Sequence, residues 1–222
     1  MLRCASDFRD PSAPPKPTQD WPKAHPEGVA QAQDAGFARA GNVCRAMDYT
    51  IRRARTRDVR AIRGLVDANA DSGRLLGKDT VTLYEDVQEF WIAERAADAT
   101  VVGCGALHVM WEDLAEIRTI AVAESCRGHG AGHRLVGALL ATARELGVRR
   151  VFVLTFATGF FARHGFEEIE GTPVSPAVYA ELLRSYDAGV AEFLDLDRVK
   201  PNTLGNTRML LHLHAADRPR RP

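Results

Sequence analysis

Apolar positions along the chain change period several times, and each change marks an element. The run YTIRRAR from Tyr49 alternates apolar and polar residues, as a half-buried strand does. Val59, Ile62, Leu65 and Val66 then recur at three- and four-residue spacing, which predicts an amphipathic helix to about Ala70 with Thr56 or Asp58 as its cap. Residues 75–87 read as a loop and a short helix. Residues 90–94 and 101–110 read as neighbouring antiparallel strands, and residues 116–122 as the next strand. Leu135, Val136, Leu139, Leu140, Ala143 and Leu146 form the expected buried stripe of a long helix that Gly147 ends. VFVLT at 151–155 is almost wholly apolar, as a central strand should be. A short helix around 160–164, a strand from Phe166, a helix around 176–186 and a strand over 208–213 complete the pattern. No internal repeat interrupts it.

The two ends differ from this body. Pro11, Pro14, Pro15, Pro17, Pro22 and Pro26 lie in a polar stretch that cannot bury enough apolar surface to offset its ordering entropy. Residues 1–47 are therefore expected to be a disordered extension, with Met47, just before the first strand, as the genuine start. Residues 48–214 make the expected domain, and 215–222 a frayed basic tail. A chain of 222 residues has room for one domain with a good core plus such an excess. Its 29 basic and 29 acidic residues balance, which gives no support for a nucleic-acid partner. No apolar run approaches the roughly 20 residues that span a bilayer, and no secretory leader is apparent, so a cytoplasmic protein is expected. Cys4, Cys44, Cys104 and Cys126 show no C-x-x-C pairing and read as reduced thiols, Cys126 as a passive small residue beside the loop described next.

Chemistry concentrates between the strand at 116–122 and the long helix. There Arg127, Gly128, His129, Gly130, Ala131, Gly132 and His133 set main-chain N–H groups at a helix N-terminus, where partial positive charge holds phosphate. Glycine lets the main chain approach such a ligand closely. A P-loop is excluded, because no Gly-Lys is followed by Ser or Thr. The dinucleotide fingerprint is excluded too: the glycines are spaced G-x-G-x-G, and His133 stands where the third would be. A tight structural turn is the bland alternative, and the flanking strand and helix favour a cofactor loop.

The Arg127-x-x-Gly130-x-Gly132 pattern in this setting resembles the acetyl-CoA pyrophosphate loop of the GNAT acetyltransferase superfamily. FFARHGFEEI at 160–169 resembles that family's second signature, an aromatic followed by x-x-x-Gly-Phe. The order of elements is similar to one complete GNAT domain from about Tyr49 to His214. The resemblance implies an α/β (α+β) fold with a central mixed, mostly antiparallel sheet flanked by helices, in which two central strands splay. It also implies acetyl-CoA as co-substrate, its pantetheine lying in the gap along Ile120, Ala121 and Val122. Phe161 is expected at the cofactor, and there one departure matters: the family often has tyrosine, a proton donor to the departing thiolate, at that position. EIRTIAV, VFVLT, EFLDLDRVKPN and NTRMLLHL narrow the match to N-acetylglutamate synthases, in particular the short stand-alone actinobacterial type. Transfer of acetyl to the α-amine of L-glutamate or L-glutamine, the first step of arginine biosynthesis, is then expected. Long synthases also carry an amino-acid-kinase domain that binds arginine. This chain has no room for one, so feedback through such a domain is not expected.

An α-amine must lose a proton before it attacks, so a base is needed. Glu116 at the start of its strand is the first candidate, with a solvated strand-end carboxylate as the plain alternative. His108 is the second candidate, although a histidine in an apolar strand is more often a core residue. The Val122 N–H is the candidate to polarise the thioester oxygen. Substrate carboxylates call for fixed cations: Arg118, two residues from Glu116 on the same strand face, Arg208 on the last strand, and Lys78, with Asn206 as a polar contact. The aromatic pair Phe160 and Phe161 is expected to pack the core. His212 and His214 share a strand face, but no third ligand is near, so no metal is expected. No residue shows a nucleophile–base pattern, which predicts direct attack without an acyl-enzyme. Two rivals stand beside this reading: acetylation of another amine, such as a protein N-terminus or a drug, and a non-catalytic acetyl-CoA sensor. Dimerisation is common in this fold class and is expected only by analogy.

Overall fold

The computed structural model describes residues 48–70, 75, 77–196 and 206–213. The chain divides into units Met1–Val43 and Cys44–Pro222, and every described residue lies in the second. The expectations for residues 1–47, for His214 and for the tail lie outside the described residues.

One seven-stranded sheet organises the domain: β1 (Tyr49–Arg53), β2 (Phe90–Arg95), β3 (Val101–Trp111), β4 (Leu114–Val122), β5 (Arg150–Thr155), β6 (Glu167–Glu168) and β7 (Thr207–His212). Their spatial order is β1-β2-β3-β4-β5-β7-β6. Every neighbouring pair is antiparallel except β4 and β5, which run parallel. The helices are α1 (Val59–Ala70), α2 (Thr80–Glu85), α3 (Ala131–Leu146), α4 (Thr158–Ala162), α5 (Pro176–Leu182) and α6 (Ala188–Phe193). This is the mixed, mostly antiparallel sheet with flanking helices that the resemblance implies.

Period-two alternation distributes the core over both faces. Leu107, Ile117, Val151 and Val153 pack against Val136, Leu139 and Leu140 of α3 and against Phe161 of α4. Ile92, Cys104 and Ala106 face Ile62, Leu65 and Val66 of α1 and Leu83 of α2. Farther along that second face, Leu114, Phe152 and Leu210 meet Leu182 of α5 and Phe193 of α6. Each such side chain removed from water contributes about 1.5–3 kcal/mol before entropy is counted.

Several boundaries differ from the sequence reading. Leu146 is 59% exposed, because the stripe of α3 leaves the sheet at the helix end, where Gly147 turns the chain at φ 85°. Thr56 and Asp58 form a 3₁₀ turn ahead of α1. The Asp58 carboxylate looks back, accepting from the Arg55 N–H and from Arg52. The short helix begins at Thr158 and the strand after Phe166 has two residues. The helix expected over 176–186 ends at Leu182, and α6 follows, started by Asp187 accepting from the Val190 N–H at 3.1 Å.

β4 carries the feature that shapes the site. Thr119 sits at φ 59°, and the β3–β4 register slips between Cys104 and Ala106. This is a bulge, which bends a strand and rephases its side chains. Before it, Glu116 shares the α5–α6 face with Leu114; after it, Ile120 joins the α3 face and Ala121 the α1 face. Gly105 makes room for the bulge: a Cβ there would lie 2.4 Å from Ile120 Cδ1.

Candidate active site

β4 and β5 pair only over Leu114–Glu116 and Arg150–Phe152. Beyond that they part, and a cavity of about 930 Å³ opens between them. Ile117, Arg118, Thr119, Ile120 and Val122 line it from β4, and Val153, Leu154 and Thr155 from β5. The Ala123 N–H bonds to Val102 of β3. Since successive N–H groups of a strand point to opposite sides, those of Val122 and Ile120 point into the gap.

The glycine loop closes one end. Cys126, Arg127, Gly128, Gly130, Ala131, Gly132 and His133 line the cavity there. Gly130, at φ 89°, precedes α3, and Gly128 turns at φ 76°, conformations open to glycine at little cost. The first intrahelical bond runs from the Arg134 N–H to the Gly130 carbonyl. The N–H groups of Ala131, Gly132 and His133 therefore have no helical acceptor, the arrangement that receives a phosphate. Arg127 donates to Asn69 at 2.9 Å, which steadies the loop against α1. His129 turns away from the wall and bonds the Arg127 carbonyl, and Ala121 has its side chain in the α1 core. Either could reach a ligand only through the main chain.

His133 leans on the Phe160 ring with centroids 4.7 Å apart and meets His164 at 2.8 Å, Nδ1 to Nε2. One of the two must be neutral to accept, and burial, then His133 and Arg163, depress the pKa of His164. Phe161 is 4% exposed and packs edge-on against Phe160 and Phe166. Its ring is core as well as cavity wall.

At the other end stand side chains from distant parts of the chain: Lys78, Glu116, Arg118, Asp187, Gly189, Glu192 and Asn206. Glu116 is 4% exposed, and its Oε2 is buried without a hydrogen-bond partner. Burial foremost, with Asp187 and Glu192 adding to it, pushes its pKa up to about 7 despite the nearby Arg118. A carboxyl so placed ionises near neutrality, as a working base must. The reading of a solvated strand-end carboxylate fails, because Glu116 is almost wholly buried.

The cations fare differently from expectation. Arg118 donates to Asp187 at 2.7 Å, Glu89 at 2.8 Å and Asp86 at 3.3 Å. It lines the cavity, but as a tie between carboxylates, and a free fork for substrate is not what the geometry provides. Glu89 and Asp187 are both held below the usual carboxylate range by His108 or Arg118, against the opposing pull of burial. Lys78 lines the cavity with Asp86 a loose 3.8 Å away. Arg208 is not on the cavity wall: its guanidinium donates to the Phe193 carbonyl and stands 6.0 Å over the Phe152 ring. His108 also stands apart. It is off the wall, its Nδ1 lies 2.7 Å from Glu89, and that hydrogen bond raises its pKa. Its Nε2 stands 3.8 Å from Asp187 of the wall.

Asp187, Gly189, Glu192, Glu89 and Asp86 belong to the site and escaped the sequence reading. The one available signal was Asp187 three residues before Val190, an N-cap spacing for a helix that the apolar pattern alone does not announce. Among the described residues no group of three or more His, Cys, Asp or Glu side chains could hold a metal ion. No described helix is long and apolar enough to cross a membrane.

Comparison with known proteins bears on this geometry. The profile of the acetyltransferase (GNAT) family matches residues 66–166. The chain is 64% identical over 164 residues to an amino-acid acetyltransferase of Mycobacterium tuberculosis, covering 73% of this chain and 94% of that protein. A crystal structure of Rv2747 from the same organism, in complex with CoA and NLQ, superposes with a TM-score of 0.72 at 63% identity, over 74% of this chain and 99% of the other. N-acetylglutamate synthase from Neisseria gonorrhoeae, complexed with coenzyme A and N-acetyl-glutamate, gives a TM-score of 0.60 at 25% identity, over 75% of this chain but 35% of that longer one. The splayed strands, the glycine loop and these relatives agree: the chain belongs to the GNAT acetyltransferase family and is an acetyl-CoA-dependent N-acetyltransferase.

Proposed function

We propose that the protein transfers acetyl from acetyl-CoA to the α-amine of L-glutamate or L-glutamine, the entry step of arginine biosynthesis. The 64% identity to an amino-acid acetyltransferase over nearly that protein's full length supports the amino-acid acceptor. The observation that carries the chemistry is the buried, unpartnered carboxylate of Glu116 at the point where β4 and β5 part.

In this reading the N–H groups of Ala131, Gly132 and His133, with the loop from Arg127 to Gly130, take the pyrophosphate of acetyl-CoA. The backbone of Ile120 and Val122 pairs with pantetheine by strand addition, and the Val122 N–H polarises the thioester carbonyl. Glu116 removes a proton from the acceptor ammonium, and the freed amine attacks the carbonyl carbon. The C–N bond forms, the C–S bond breaks, CoA leaves as thiolate, and the nitrogen sheds its second proton to give the neutral amide. A thiol of ordinary pKa, about 8.5, is a tolerable leaving group without a dedicated acid, which suits phenylalanine at position 161. Lys78 and Asn206 receive the substrate's carboxylate and side chain, with Arg118 fixing the wall behind them.

Attack is direct. Cys126 is the one cavity-lining thiol among the described residues; it is 1% exposed, and its polar neighbours are the hydroxyls of Ser125, at 3.8 Å, and Tyr49. The cytoplasm, where acetyl-CoA and free amino acids meet, is the proposed compartment, and a homodimer the proposed assembly by analogy with the fold class.

The test is release of CoA thiol from acetyl-CoA in the presence of each of the common amino acids in turn. Turnover confined to glutamate and glutamine is expected. Turnover only with peptides or drug-like amines would sink the amino-acid reading while leaving the acetyltransferase intact.

A further inference from the structure

Acetyl transfer strips two protons from one nitrogen. The acceptor arrives as an ammonium with three N–H bonds and leaves as an amide with one. Glu116 accounts for one proton. The second comes off after the C–N bond forms, when acylation has made that nitrogen strongly acidic. A second acceptor at the same nitrogen is therefore chemically useful, and α6 brings one.

Gly189 and Glu192 lie three residues apart on α6 and so share one face of it. Gly189 touches Glu116: a Cβ on it would fall 2.0 Å from Oε2, the oxygen that has no hydrogen-bond partner. Glu192 lines the same cavity at 8% exposure. Glycine at 189 is thus what lets a second carboxylate-bearing helix dock against the first carboxylate. Arg118 on β4 is tied to Asp187, Glu89 and Asp86, and Asp187 also caps α6. His108 on β3 is taken by Glu89, and Arg208 on β7 by the Phe193 carbonyl. None of the described cations forms an ion pair with Glu116 or Glu192.

We propose that Glu192 is a second catalytic residue of the acetyl transfer: with Glu116 it holds the acceptor ammonium, and it takes the second proton from the nitrogen as the amide forms. This rests on the acetyltransferase activity and on an amine acceptor in this cavity, whichever amine that is. The balance closes: Glu116 takes one proton before attack, Glu192 takes one after it, the thiolate departs, and the two carboxyls return their protons to solvent or to the thiolate. Burial first, then the charge of Asp187, pushes the Glu192 carboxyl up to about 7, beside Glu116 at about 7. Both can therefore accept and release a proton near neutrality.

The experiment is a pH profile of kcat/KM for the best amine acceptor, from about pH 5.5 to 9, for the wild-type protein and for Glu192→Gln. The wild type should fall with a two-proton slope on the acid side. Glu192→Gln should fall with a one-proton slope, its kcat lowered about 10²-fold and its KM for acetyl-CoA unmoved. An unchanged slope with kcat within about two-fold of wild type overturns the proposal. An equal rise in melting temperature on adding acetyl-CoA shows that the variant is folded. Two substrate-independent arms separate this proposal from the amino-acid reading. If amino acids give no turnover but another amine does, the same comparison is made on that amine. If none does, ¹³C NMR of carboxyl-labelled glutamate follows the folded protein with ethylammonium chloride as probe. A resonance missing in Glu192→Gln should shift on adding the probe, and a resonance that stays still overturns the proposal.

Discussion

The two ends of the cavity are built on opposite principles. The cofactor end is backbone: amides at the head of α3, two glycines at positive φ, and the free edge of β4, all within residues 120–133. The acceptor end is side chains: Lys78, Glu116, Arg118, Asp187, Glu192 and Asn206 come from segments far apart in the chain and meet only in the fold. The first end binds with partial charges that need no titration. The second confines full charges out of water and works through the pKa shifts that result. Substitutions should therefore separate cleanly, with acetyl-CoA affinity following the loop and proton transfer following the carboxylates.

The largest separation is expected from Glu116→Gln. Removing the base should lower kcat by about 10²–10⁴-fold, since that is what a positioned general base contributes. The KM for acetyl-CoA should hardly move, because the glycine loop is untouched. Steady-state kinetics with each substrate varied in turn checks this, and an equal rise in both KM values would mean that Glu116 shapes the cavity instead of serving the chemistry.

Next comes Arg118→Ala, where the effect falls on stability. Arg118 is 11% exposed and ties Glu89 and Asp187, each about a quarter exposed, into one network. Removing one partner of a buried ion pair leaves charge uncompensated and costs about 3–5 kcal/mol. For a domain of this size that lowers Tm by on the order of 10 °C. Thermal unfolding monitored by circular dichroism reads it. A loss under about 1 kcal/mol would show the network to be as weak as a surface ion pair and would return Arg118 to the role of a free substrate ligand.

Gly130→Ala probes the opposite end with a smaller cost. At φ 89° a Cβ costs roughly 1–2 kcal/mol. The affinity for acetyl-CoA should fall by about ten-fold, since 1.4 kcal/mol is a factor of ten. The KM for the amine and the acid limb of the pH profile should stay where they are. Calorimetric titration with acetyl-CoA measures the first and kinetics the second.

This contrast also explains what could be read before folding. The loop was legible because its function resides in consecutive residues: glycine spacing, the strand before and the helix after are all local. The apolar periods likewise located the strands and the two long helices α1 and α3. Glu116 was legible as a candidate because the strand pattern placed it, although only burial decides between base and surface charge. The partners of Arg118 and Arg208 were not legible for one reason: a sequence displays charge but not whom it meets. Asp187 and Glu89 lie 69 and 29 residues from Arg118, and nothing local joins them. Glu192 stayed hidden because α6 is a six-residue helix too short to show a period. The bulge at Thr119 has a signature that was there to use: Gly103 and Gly105, two residues apart in β3, mark where a neighbouring backbone crowds the strand.

The smallest effect, and the one that joins chemistry to stability, is the pH dependence of folding. Glu116 binds its proton more tightly folded, at about 7, than its ordinary value of 4.5. The folded state then holds more protons than the unfolded one between those values, so this group makes stability fall as pH rises through that window. Glu89 and Asp187 act with the opposite sign: their carboxyls are held below their ordinary values, and their contribution is present above those values and lost as pH falls. His108, with its pKa raised, adds stability that is full below its ordinary 6.5 and fades as pH rises past the folded value. Replacing Glu116 by glutamine removes only the first of these. Glu116→Gln should therefore gain stability over the wild type progressively from about pH 5 to pH 7, while the acid side, governed by Glu89 and Asp187, stays the same. Urea midpoints measured across that range test it. Parallel curves would mean that Glu116 is ionised in both states and that the gap between β4 and β5 admits enough water to serve it. The acceptor end would then be no drier than the surface, and the division between a backbone end and a charge-confining end would lose its physical basis.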